Sequence, residues 1–154
     1  METKHVHMIS GAAGSLMLIA GLVLAGPSSN AQSDDAGRCS NRTLRGAYGF
    51  TAEGQILAGP VVGPLRAVGL THFDGNGNLN RVEFATLNGV AISAQWRPAT
   101  GTYIVNSDCT GSMEITPNDG SPARKLRMVV VRNGKEIRAV EEANVVSSIG
   151  IRRD

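Results

Sequence analysis

Aromatic side chains are scarce, only 4% of 154 residues, and histidine is limited to His5, His7 and His72. The first two lie in an N-terminal stretch read below as a cleaved signal, so a Ser-His-acid arrangement would have to be built on His72 alone. No Gly-x-Ser-x-Gly elbow is present, and His72 falls on the strand face opposite Phe73, toward solvent. Nucleophilic catalysis therefore has little to work with, and no catalytic residue is assigned. Two cysteines and one remaining histidine are also too few for an ordinary four-ligand zinc shell.

Charge of one sign is lacking too. The formal net charge is +2, which gives no reason to expect a polyanionic partner. Arg124, Lys125, Arg127, Arg132, Lys135 and Arg138 form a basic cluster, but no aromatics interleave to stack bases, and Glu136, Glu141 and Glu142 sit among them. A solvated strand face is the expectation, without nucleic acid. No apolar run approaches the ~20 residues a membrane-spanning helix needs. Helical periodicity is missing, and so is any repeat of 20–50 residues, which excludes solenoids and propellers.

What the chain does have begins at its N-terminus. Lys4, His5 and His7 precede an apolar stretch at residues 16–25, then Gly26-Pro27 and Ser29-Asn30-Ala31, whose small residues suit a signal peptidase. Residues 1–31 read as a secretory signal peptide, residues 32–42 as a short polar flexible leader and residues 43–154 as one domain. Cys39, preceded by Arg38, is too distant for a lipoprotein signal. The expected location is secreted or periplasmic, without membrane insertion after cleavage. Cys39 and Cys109 in an oxidising compartment are most simply one disulfide, a metal site being the weaker alternative.

From Thr43 onward, alternating segments are separated by glycine-rich turns. Strands are expected at residues 46–54, 65–73, 79–87, 91–97 (ended by Pro98), 101–105, 109–115, 125–132, 136–142 and 144–151. Asn133-Gly134 is a type I′ hairpin signal. The fold class is all-β: a single antiparallel β-barrel of about eight strands, with a β-sandwich as the alternative. Gly46, Gly49, Gly54 and Gly69 inside strands favour the barrel, because strand glycines often mark bulges or sharp coiling.

Three groups of residues could carry function. Asp74-Gly-Asn-Gly-Asn-Leu-Asn80 resembles the start of a calcium loop, but the sixth position is Leu79 and the twelfth is Ala85, where glycine and glutamate are needed. A metal-free hairpin turn is expected. Of the strand carboxylates, Glu141 shares a face with Ile137 and Ala139, so it points inward and requires a partner, most simply an arginine at the barrel rim. Among the aromatics, Tyr48, Phe50 and Phe84 are expected to pack inward, and Trp96 to sit at a strand end or cavity mouth. The candidate ligand-binding residues are Tyr48, Phe50, Trp96, Tyr103 and Glu141.

Four motifs recur in a familiar order: Cys39-Ser-Asn-Arg-Thr-Leu-Arg-Gly-Ala-Tyr-Gly-Phe50, Phe73-Asp-Gly-Asn-Gly77, Gly101-Thr-Tyr-Ile-Val-Asn-Ser-Asp-Cys-Thr-Gly111 and Gly134-Lys-Glu-Ile-Arg138. Together they resemble a family of small exported bacterial proteins with allene oxide cyclase-like, calycin-type barrels. The resemblance implies an antiparallel barrel and pairing of Cys39 with Cys109. The plant enzymes' catalytic residues do not map onto this chain, so cyclase activity is not implied.

The favoured function is non-catalytic binding of a small apolar or amphipathic ligand, with no cofactor. One alternative is an isomerase or cyclase, with Glu141 or Tyr103 assisting proton movement. Another is a structural or interaction protein of the cell envelope. A filled barrel would favour the last, and an arginine-paired Glu141 at the surface would remove the cyclase.

Overall fold

A computed structural model describes residues 38–154. The expected signal peptide and most of the expected leader lie outside the described residues. A 3-10 turn, Asn41–Thr43, precedes nine strands: β1 (Arg45–Ile56), β2 (Gly63–Asp74), β3 (Asn78–Leu87), β4 (Val90–Ala91), β5 (Arg97–Val105), β6 (Thr110–Pro117), β7 (Arg124–Val131), β8 (Glu136–Glu141) and β9 (Val145–Arg152). Every pairing is antiparallel. The order β2-β1-β9-β8-β7-β6-β5-β3 closes on itself through β2–β3, leaving β4 as a two-residue appendage on β3. Eight strands thus form a barrel, and the sandwich alternative falls away. Closure removes the exposed sheet edges that an open sheet would have to protect.

The end bearing the 3-10 turn is stapled and plugged. Cys39 and Cys109 form a disulfide across 70 residues of sequence, with Cα atoms 4.9 Å apart. Leu44 is completely buried, Val105 N–H donates to Asn41 Oδ1 at 2.7 Å, and packed structure begins before the Thr43 boundary. The lower interior then fills with Tyr48, Phe73, Tyr103, Ile115, Met113, Met128 and neighbouring aliphatics. Phe73 receives both tyrosine rings edge-on, at centroid distances of 5.2 and 4.9 Å. A second cluster, Phe50, Ala52, Leu65, Ala67, Ala85 and Val146, covers the inner wall of β1, β2, β3 and β9.

Two expectations from the sequence are corrected. No strand spans residues 91–97: β4 is confined to Val90–Ala91, and β5 begins at Arg97 and runs through Pro98. Proline is tolerated near a strand's start, where its missing N–H costs little, and Arg97 turns inward because its ion-pair partners lie there. Second, β3 has the opposite phase to that expected from Phe84. Arg81 and Glu83 face the interior with Leu79 and Ala85, while Val82 and Phe84 face outward. Two charged side chains enter the barrel because they meet counter-charges inside it.

Candidate functional site

The upper half of the interior is held by charge. Glu83, 1% exposed, is ringed by Arg81 Nε at 3.2 Å, Arg97 Nη1 at 3.7 Å and the guanidinium of Arg124. These four come from the inward faces of β3, β5 and β7. Arg97 Nε also donates to Asp119 Oδ2 at 2.9 Å, tying the β6–β7 loop to the network. Arg81 Cζ stands 3.5 Å from the centroid of the Phe50 ring, so the guanidinium is stacked on an aromatic face. Burial pulls its pKa down to about 10, opposed chiefly by Glu83, and it remains charged at neutral pH. Arg81 Nε and Glu83 Oε2 face each other without the alignment of a hydrogen bond.

The sequence-derived candidates separate on this frame. Tyr48 and Tyr103 are core: the Tyr48 hydroxyl donates to the Gly134 carbonyl, and the Tyr103 hydroxyl is 2.9 Å from the Leu44 carbonyl and 3.0 Å from that of Asn41. Burial is the main cause raising both phenol pKa values, so neither is poised to move a proton at neutral pH. Glu141 does point inward, in phase with Ile137 and Ala139. Its partner is Asn144 Nδ2 at 2.7 Å, and no arginine pairs with it among the described residues, which corrects the expected rim ion pair. Phe50 packs inward beneath Arg81 and Trp96 is exposed on the outer wall, so the two do not stack on one another, although both border one groove.

On the outer wall the outward residues Gly49, Thr51, Val68, Leu70, Val82, Ile149 and Ile151 form an apolar groove of about 890 Å3 with Trp96, and the inward-facing Phe50 and Gly69 border it from beneath. Register explains it. Ile151, Gly49, Leu70 and Val82 stand opposite one another on β9, β1, β2 and β3, and Ile149, Thr51, Val68 and Phe84 form the next row. Gly49 is the low point, since a Cβ there would meet no atom within 4 Å. Gly69 thins the wall further on: a Cβ would lie 2.5 Å from the Phe50 ring and 2.2 Å from the Val82 carbonyl oxygen. Trp96, 57% exposed, closes one side against Phe84, ring centroids 6.2 Å apart. A second groove of about 750 Å3 adjoins across Ile149 and carries Arg127 and Arg138 at its margin.

No protein-family model matches the chain, and no curated protein aligns with it. Among solved structures it is similar to a de novo designed fluorescence-activating β-barrel. That match has 14% sequence identity and a TM-score of 0.47, over 74% of this chain and 96% of the designed one. The barrel assignment itself stands on the strand register.

The remaining motifs serve structure. Asp74 Oδ1 accepts from the backbone N–H of Asn76 at 2.7 Å and of Asn78 at 3.0 Å, and Oδ2 accepts from Asn78 Nδ2 at 2.8 Å, so the turn itself uses the carboxylate. The basic cluster is largely paired: Arg127 with Glu142, Arg132 and Arg138 with Glu136, and Arg124 turned inward. His72 faces solvent. The sequence reading missed the arginine ring and the groove. In Arg81-Val82-Glu83-Phe84 both apolar residues fall on the phase that faces outward, so local alternation points the wrong way and only the pairing of charges across strands decides it.

Proposed function

We propose that this protein is an exported, non-catalytic binding protein that holds a small apolar or amphipathic molecule on the outer wall of its barrel. The observation carrying this reading is the groove floored by Gly49 and walled by Val68, Leu70, Val82, Trp96, Ile149 and Ile151. Its volume falls within the roughly 300–1,000 Å3 typical of small-molecule sites, and monomeric proteins seldom leave so continuous an apolar surface idle. A core of aromatic, aliphatic and ion-paired side chains moves the binding site from inside the barrel to outside. Export is supported by the signal-like N-terminus and by a disulfide, which fits a non-reducing compartment. The calycin-type resemblance of the four motifs accords with a binding barrel. Glu141 is held by Asn144 and lines neither the Gly49 groove nor the one adjoining it across Ile149, which disfavours the cyclase alternative.

The test is titration with decanol, read by the emission of Trp96, the single tryptophan. Saturable binding is expected. Gly49→Val fills the floor without a clash and should weaken binding about ten-fold or more while leaving the melting temperature essentially unchanged. Absence of saturable binding, or equal binding by the variant, overturns the reading. In that case the filled interior supports the second one, an envelope interaction protein using the same wall.

A further inference from the structure

The loops at the two ends of the barrel differ in charge. At the disulfide end, Asp74, Asp108, Arg132 and Lys135 sit on or beside the hairpin turns. At the opposite end, residues 57–62 read Leu-Ala-Gly-Pro-Val-Val and residues 88–96 read Asn-Gly-Val-Ala-Ile-Ser-Ala-Gln-Trp, without a single charge. They expose Leu57, Val61, Val62, Val90, Ile92 and Trp96, each between 43% and 70%. The two loops are neighbours: Asn88 N–H donates to the Pro64 carbonyl at 2.8 Å, and the Asn88 side chain rests over Gly63.

We infer that these two loops dock the protein on a lipid surface, with their aliphatic tips in the interfacial layer and Trp96 at its boundary. Their chemistry selects that partner. Six large apolar side chains gain by leaving water, and no charge has to be desolvated to let them. Tryptophan prefers the level where an apolar body and a polar N–H are both served. Gly59, Pro60, Gly63 and Pro64 leave loop backbone that needs water or headgroups, so contact is shallow rather than spanning. Two short loops also fall below the roughly 20–30 residues a side that a stable protein interface takes. The β6–β7 and β8–β9 loops at the same end carry Asp119 and Glu142, so the β1–β3 side is the one that makes contact.

The experiment is co-sedimentation of the mature protein with phosphatidylcholine vesicles, with Trp96 emission read alongside. Binding with a blue shift is expected, and it should persist at about 0.5 M salt because no surface charge drives it. Val61→Asp combined with Val90→Asp should weaken binding about ten-fold or more at unchanged melting temperature, both positions being exposed. Gly49→Val, which blocks the groove, should bind vesicles like the wild type. The proposal is overturned if neutral vesicles are not bound, or if binding needs anionic lipid and is lost in salt. It is also overturned if the aspartate variant binds normally, if that variant instead abolishes self-association without lipid, or if Gly49→Val removes vesicle binding.

Discussion

Glu83 shows what a single buried charge demands. A carboxylate with almost no exposure survives only because three guanidinium groups face it, and each of those was itself desolvated to get there. Such a network gives little net stability when intact and is costly when one member is lost. Glu83→Gln should therefore destabilise the fold by about 3–5 kcal/mol, measured by urea denaturation, because uncompensated arginines remain buried. A loss below about 1 kcal/mol would show that the arginines reach solvent instead. Tyr103 carries a smaller load of the same kind. Tyr103→Phe removes the hydroxyl that meets the Leu44 and Asn41 carbonyls and should cost about 1–3 kcal/mol, leaving decanol binding in the outer groove unchanged.

At the scale of elements, the β2–β3 hairpin is organised by one side chain. Hydrogen bonds from the Asn78 side chain, then from the backbone N–H groups of Asn76 and Asn78, hold Asp74 at about 2 against an ordinary 3.8. The carboxylate is thus favoured in the folded state. Its contribution is present above pH 4 and is lost as pH falls from about 4 through about 2. Asp119 behaves likewise, held at about 2 first by the Ser121 side chain and then by its backbone N–H. Melting temperature followed from pH 5 to pH 2 should drop across that window, and Asp74→Asn should flatten the drop; an unaltered profile would assign it to other groups. The Asn133-Gly134 turn was legible for a related reason, since both residues adopt positive φ, 54° and 80°, and the turn chemistry is local. The start of β5 was not legible, because Arg97 is drawn into the barrel by Glu83 and Asp119 on other elements.

For the whole molecule, closure and the disulfide act together. The bridge joins the segment before β1 to the β5–β6 turn, 70 residues away, and restricts the unfolded chain by roughly 4 kcal/mol in the loop-entropy view. Reduction, or replacement of both cysteines by serine, should lower unfolding free energy by about that much while the strand signature in circular dichroism persists; an equal stability with and without reductant would refute it.

Every expected strand but the one at 91–97, the single antiparallel barrel and the pairing of Cys39 with Cys109 were in the sequence, because alternation and turn residues act over a few positions and two cysteines allow one intramolecular bridge. Which face of β3 points inward, the partner of Glu141 and the groove over Gly49 were decided only by the tertiary structure. Each depends on residues from separate strands meeting across the barrel, and a charge or a gap acquires its meaning from the neighbours that closure supplies.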